Sequence, residues 1–350
     1  IGLAAHDFVA AAAAGAVVLS RAEKDADGSP TVPSRWLVRL KTLLAGSGGH
    51  ELGGSDRRPW ARLDEVPVAR PTERPMPKPR LEARPRELSV SDIALWMSDP
   101  YALYAKRILG LKPLEALEAD PGALERGIII HRVLERFVKD FPGDLPADAE
   151  RRLLDLGRKL FEDYSHRPQV MALWWPRFEQ IARWVIDEER TRRAQILEIR
   201  TEVEGRLKLV GLNFHLKARA DRLERLPDGR ITVIDYKTGA IPKPADVVAG
   251  IAPQLPLEAA MVDAGAFRDL GPTAVAGLLF WRLKGDETGG EGQAPAQISP
   301  AELAARALAG LRRLVAHYDA PETAYPARQK PLVAWRGDYD HLARRGEWTS

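Results

Sequence analysis

Two periods of apolar residues run along this chain, and each predicts a different kind of element. From Ile93 through Trp96, Tyr101, Tyr104 and Ile108, large apolar side chains recur near helical spacing. Ser89 with Asp92 three residues later resembles a helix cap, and Pro100 predicts a break into two helices. Further helices are expected near 124–138, 147–164 and 173–198, with Trp174, Trp175 and Trp184 in the core of this helical region. From Thr201 the period falls to two. Glu202 to Leu209 and Phe214 to Leu223 alternate, and a turn at Pro227-Asp228-Gly229 leads into a third strand, Arg230 to Lys237. A helix near 245–264 and an apolar strand from Ala274 to Leu283 follow. Ser299-Pro300-Ala301-Glu302 is a capping box with proline at the first helical position, opening a helix that carries Leu303, Leu308, Leu311, Leu314 and Val315. This order of helices, hairpin, helix, strand and helix predicts an α/β fold, a mixed sheet flanked by helices with a helical cap region.

The first part of the chain has a different character. Residues 1–45 read as a small α/β piece, with a short strand at Ala16 to Ser20 and a helix carrying Trp36, Leu37, Leu40 and Leu43. The piece is too short to form a domain alone. Over 46–88 a Gly-Ser-Gly-Gly stretch precedes seven prolines between Pro59 and Pro85, interleaved with arginines. This reads as a linker, or a strap across a neighbouring surface. The chain starts at Ile1 rather than methionine, as a fragment of a longer protein would.

Composition narrows the function classes. A hydrophobic content of 45% with 29% charged residues is that of an ordinary soluble globular protein. No apolar run reaches membrane-spanning length, and Phe8 to Val18 is too short and lacks a basic leader. The absence of cysteine excludes disulfides, cysteine-ligated zinc and iron–sulfur clusters, and is compatible with the cytoplasm. A net charge of +3 tolerates a polyanionic partner without requiring one.

The stretch Ile231-Thr232-Val233-Ile234-Asp235-Tyr236-Lys237-Thr238-Gly239 carries the chemistry. An apolar strand ends by placing a carboxylate and an amine two residues apart on one face. A two-residue Asp228-Gly229 turn would pair Asp221 with Tyr236 and send the two aspartates to opposite faces. A three-residue loop, Pro227 to Gly229, sets Asp221 opposite Asp235, with Cβ atoms roughly 5 Å apart. Two facing carboxylates repel each other unless a cation lies between them, and oxygen ligands suit Mg²⁺ or Mn²⁺. Lys237 is then placed to position an attacking water or help deprotonate it. The competing reading is an exposed Asp235–Lys237 ion pair, with Asp221 paired to Arg219 or Arg222. His131, on the helix that follows Gly127, is a candidate further ligand or a structural histidine. Gln254, on the next helix, is placed to contact a phosphate.

Gly127-x-x-x-His131, the Ala220-Asp221-Arg222 strand, Ile234-Asp235-Tyr236-Lys237-Thr238-Gly239 and Gln254-Leu255-Pro256-Leu257 together resemble the RecB-type branch of the PD-(D/E)XK nucleases. The resemblance covers roughly 88–345. It implies metal binding by His131, Asp221, Asp235 and the backbone carbonyl of Tyr236, with Lys237 as catalytic lysine beside the two aspartates. Val32 to Leu37, the Pro/Arg-rich linker, and Ser91 to Leu111 further resemble the C-terminal portion of the AddB subunits of bacterial helicase–nucleases. That likeness implies the end of a helicase-like domain at 1–45, a linker at 46–88 and a nuclease domain at 89–350. It also implies Mg²⁺- or Mn²⁺-dependent cutting of the 5′-ending single strand at double-strand breaks, beside an AddA-type partner. Arg219, two residues before Asp221, is then either a DNA phosphate contact or part of a structural ion pair. Two departures stand out: relatives that hold a 4Fe–4S cluster have a cysteine where Asp99 stands here, and many have tyrosine where Glu258 stands. A retired nuclease fold that binds DNA or AddA, and a free-standing repair exonuclease, are the other readings.

Overall fold

Residues Ile231–Lys237 are buried along all but the last position, as expected of a strand with neighbours on both edges and helices on both faces. The computed structural model describes residues 2–25, 28–48, 72–113, 122–164, 167–328 and 337–348. The chain divides into two units, Ile1–Arg70 and Pro71–Ser350.

In the first unit lie α1 (Gly2–Ala12) and α2 (Arg35–Gly46), neither with a buried residue. Ser34 caps α2 by accepting from the Leu37 backbone N–H. The strand expected at Ala16 to Ser20 does not form: these residues are irregular, and Val17, Val18 and Leu19 are exposed. An apolar run becomes a strand only where a sheet edge accepts its backbone, and among the described residues no ladder reaches this one.

The second unit contains β1 (Glu87–Ser89), α3 (Val90–Ser98), α4 (Pro100–Leu103), α5 (Ala123–Asp140), α6 (Ala149–Phe161) and α7 (Pro168–Arg193). Then follow β2 (Glu198–Lys208), β3 (His215–Arg225), β4 (Ile231–Lys237), α8 (Pro244–Val248), α9 (Gln254–Asp263), β5 (Val275–Arg282), β6 (Glu291–Gln293), α10 (Pro300–Asp319) and α11 (Arg345–Trp348). The Ser89–Asp92 capping box is present, and Pro100 does restart the helix. The single helix expected near 245–264 is two, divided by Gly250 at φ +77° and Pro253. The short strands β1 and β6 were not anticipated.

Of the expected linker, residues 49–71 lie outside the described residues. From Thr72 the segment is laid along the second unit: Pro77 and Pro75 accept from the backbone N–H groups of Tyr325 and Ala327. Arg84 is buried and donates to the carbonyls of Tyr318, Ala320, Pro321 and Thr323 beyond the last turn of α10.

The six strands form one mixed sheet in the order β1-β3-β4-β5-β6, with β2 on the other edge of β3. β1 runs parallel to the start of β3, whereas β4 pairs antiparallel with its end. Among the described residues, Ala218–Asp221 therefore carry no ladder partner on that edge. One core layer packs α3, α9 and α10 on the sheet, and another packs α5, α6 and α7 against Ile234, Tyr236, Trp281 and Leu283. Trp174 is buried in this second layer, with Trp175 and Trp184 partly buried against it. Asp235 alternates with Ile234 and Tyr236, so it faces the side of Val233 and α9.

Candidate functional site

The hairpin between β3 and β4 sets the site. Arg222 is registered with Ile234 and Arg225 with Ile231. Leu226 donates to Arg230 across a three-residue loop, and Gly229 takes the left-handed φ of +83° that such a loop requires. Continuing the register by one residue sets Asp221 opposite Asp235, the odd-loop alternative. Asp221 Oδ2 accepts from the Tyr236 backbone N–H at 2.7 Å, which fixes one carboxylate against the other strand.

The β2–β3 register adds a third carboxylate. Thr201 pairs with Arg222 and Val203 with Ala220, leaving Glu202 opposite Asp221. Glu202 has φ +54°, an unusual backbone conformation for a side-chain-bearing residue. Glu202, Asp221 and Asp235 thus stand side by side on three neighbouring strands. On α5, Gly127 and His131 are one turn apart on the same face. A Cβ at Gly127 would lie 3.0 Å from Thr238 Oγ1, so glycine lets the helix approach the end of β4. This brings His131 Nδ1 to 3.6 Å from Asp221 Oδ1. His131, Glu202 and Asp221 each offer one ligand atom, and these atoms lie within 4.8 Å of one another.

Asp235 is 2% exposed. Lys237 Nζ donates to its Oδ1 at 2.9 Å and lies 2.7 Å from Oδ2. The Gln254 amide is oriented by both groups: its Nε2 donates to Asp235 Oδ1 at 2.7 Å and its Oε1 accepts from Lys237 at 3.3 Å. Gln254 Nε2 also lies 3.4 Å from Oε1 of Glu258, a carboxyl that is 1% exposed. Arg219 Nε lies 2.5 Å from Glu202 Oε2, and Arg222 turns away to Glu189 and Glu224. A cleft of about 640 Å³ opens over His131, Glu202, Arg219, Asp221 and Lys237.

The electrostatics reflect this crowding of acids. Burial raises the Asp235 carboxyl to about 6, with Lys237 opposing and Asp221 reinforcing the shift. Burial and Asp221 likewise raise Glu202. Burial alone would lower the His131 imidazole, but Asp221, Asp235 and Glu202 outweigh it and hold it above its ordinary value. Burial would also lower Lys237, and Asp235 more than reverses this, so it stands as an ammonium.

The structure brings His131, Asp221, Asp235, Lys237 and Gln254 together, with Tyr236 between the aspartates and Arg219 at the rim. Sequence reasoning missed Glu202 as a site residue and did not place Glu258 in the buried cluster. The imidazole and carboxylate donors are a set that fits Mg²⁺ or Mn²⁺.

Residues 87–332 match the family model described as the PD-(D/E)XK nuclease superfamily. An uncharacterized protein of Rickettsia bellii is 31% identical over 51% of this chain and 22% of its own length. Another, from Rickettsia felis, is 27% identical over 70% of this chain and 30% of its own. An ATP-dependent helicase/deoxyribonuclease subunit from Streptococcus uberis is 28% identical over 44% of this chain and 14% of its own. The chain spans less than a third of the length of these relatives. The match to the family model covers most of the chain, and with it the three strands that carry Glu202, Asp221 and Asp235: the chain belongs to the PD-(D/E)XK nuclease superfamily.

Proposed function

We propose that the chain is the nuclease part of an AddB-type subunit, an Mg²⁺- or Mn²⁺-dependent deoxyribonuclease that cuts the 5′-ending single strand at double-strand breaks. In this reading residues 1–45 end a helicase-like domain, 46–88 form a connecting strap, 89–350 are the nuclease domain, and an AddA-type subunit is the partner. The observation that carries the reading is the gathering of Asp221, Asp235 and Lys237 at the open end of β4 with His131 and Glu202 beside them. Similarity to the helicase/deoxyribonuclease subunit from S. uberis supports the choice of complex.

Asp221, Asp235, His131 and the Tyr236 carbonyl would hold the cation, which supplies Lewis acidity at the phosphoryl group. Lys237, kept as an ammonium by Asp235, donates toward a phosphoryl oxygen or the attacking water and holds it in line. Gln254 fixes both Asp235 and Lys237, so the pair is positioned before substrate arrives. Phosphate contacts from Arg219 orient the strand without reading its sequence.

The test is digestion of end-labelled single-stranded DNA with Mg²⁺ or Mn²⁺, by this chain alone and beside its AddA-type partner. Lys237→Ala is expected to lower cutting by about a hundredfold or more, as loss of a transition-state donor does. Equal cutting by Lys237→Ala, or an uncut 5′-ending strand, would overturn the assignment; binding without cutting would mark a retired nuclease.

A further inference from the structure

Glu202 answers to two groups at once. Its Oε2 lies 2.5 Å from Arg219 Nε, while it also belongs with His131 and Asp221 to the donor cluster that spans 4.8 Å. The two side chains of the pair differ in freedom: Glu202 is 12% exposed and Arg219 is 59% exposed. Glu202 is anchored at the site, whereas Arg219 can swing.

Arg219 also occupies a junction. Three clefts meet along the open face of β2 and β3, and Arg219 lines all three, the one over His131, Asp221 and Lys237 included. From Asp221 this face leads past Arg219 to Lys217 and its cross-strand neighbour Arg206, a distance of roughly 13 Å along the strand. Arg268 lines the same face. Each of these cations leans on a carboxylate: Arg206 and Lys217 on Glu87, Arg268 on Glu204. Glu87 and Glu204 are outside the donor cluster, so among these pairs only the one between Arg219 and Glu202 can respond to a bound cation.

We infer that Glu202 couples cation uptake to the grip on single-stranded DNA. With the cluster empty, its carboxylate clasps Arg219; when a divalent cation at His131, Asp221, Asp235 and the Tyr236 carbonyl also draws in the Glu202 carboxylate beside His131 and Asp221, Arg219 is released into the groove as a phosphate ligand. The cation neutralises the charge that holds the guanidinium and repels it, while the approaching phosphate attracts it. Cation and strand therefore bind with positive coupling, which must be reciprocal. The inference rests on the cation-site reading above and adds a device to it.

The experiment measures binding of a short end-labelled oligo-dT by fluorescence anisotropy over a range of salt. It is run in chelator and in Ca²⁺, with strand integrity checked on a gel and Ca²⁺ uptake by calorimetry. In wild type, Ca²⁺ is expected to tighten binding about fivefold and to steepen the salt dependence by about 0.7 in log–log slope, one more phosphate contact on a single strand. Arg219→Gln should lack that added slope. Glu202→Gln should bind more tightly than wild type in chelator, because Arg219 is already free, and the gain should vanish in the Glu202→Gln/Arg219→Gln double variant. Ca²⁺ uptake with equal steepening in wild type and Arg219→Gln would overturn the coupling while leaving the cation site standing. An unchanged Glu202→Gln in chelator would overturn the clasp. No Ca²⁺ uptake would overturn the cation reading and the coupling together.

Discussion

At α9, a buried carboxyl group stands beside the Gln254 amide that holds Asp235 and Lys237. Glu258 has one oxygen 3.4 Å from the Gln254 amide and the other, Oε2, without a hydrogen-bond partner among the described residues. Burial, with Asp235 and Asp221 nearby, pushes its pKa well above the usual carboxylate range. Folding therefore takes up a proton that the unfolded chain releases above pH ~4.5. The stability contributed by the protonated group is full below that value and is lost as pH rises toward the folded pKa. Glu258→Gln is accordingly expected to raise stability by about 1 kcal/mol or more at pH 8 and to change it little at pH 4, measured by urea unfolding at both. A gain of equal size at both pH values would show that packing, not the proton, is responsible. Glu258 was legible only as a departure from a pattern, because its burial depends on helix packing. Glu202 carried a stronger signal in the sequence. Strands ending at Leu209 and beginning at Phe214 already imply a four-residue loop, which sets Glu202 opposite Asp221.

Elements follow the same logic of what a short stretch contains by itself. The Ser89–Asp92 capping box, the Pro100 break and the strands β2 to β5 were readable because the signals lie within each segment; of the box expected at Ser299 only the half in which Ser299 accepts from the Glu302 backbone N–H forms, the Glu302 carboxylate pairing with Arg306 instead. β1 was not, since three residues gain strand character only from the half-edge of β3 that β4 leaves open. The strap before it was legible as extended chain, but not its anchor. Arg84 satisfies four carbonyls around the end of α10, where orphan acceptors and the negative helix terminus favour a cation. Arg84→Ala is expected to cost about 3 kcal/mol by leaving buried acceptors unpaired, with Arg84→Lys recovering a minority of it. Chemical denaturation would check both, and a loss below about 0.5 kcal/mol, the scale of an ordinary surface change, would show that water replaces the guanidinium. Within α3, Asp92 accepts from Arg107 and Lys106 as well as from Ser89. Burial would raise its carboxyl, but these partners lower it. Its contribution is thus present above the ordinary carboxylate value and lost as pH falls through the lower, folded one. Asp92→Asn should cost about 1 kcal/mol at pH 7, and thermal melts should converge with wild type toward pH 3.

Across the whole molecule, the candidate site depends on two core layers keeping their places on one sheet. His131 comes from the layer of α5, α6 and α7, Gln254 from the layer on the other face, and the carboxylates from the strands between. What fastens the first layer is a buried charge network rather than apolar packing alone. Arg222 is fully buried on β3, donates to Glu189 of α7 and, at 2.7 Å, to Glu224, and lies 5.0 Å from the Trp281 ring. Arg192 and Arg193 of α7 close the network on Glu224 and Glu189. Such a cluster adds little net stability over a well-packed apolar equivalent, but removing one member leaves the others buried and unpaired. Arg222→Ala is expected to cost about 3–5 kcal/mol in equilibrium unfolding, the range for breaking a buried pair. The loss should be local first: amide exchange should accelerate in α7 and the neighbouring α5 before it does in β4 and β5. Because α5 carries His131, cation affinity should fall in the same variant even though Arg222 faces away from the site. Uniform acceleration across sheet and helices would instead mean that the layers unfold as one unit, and that the network does not set the position of α5.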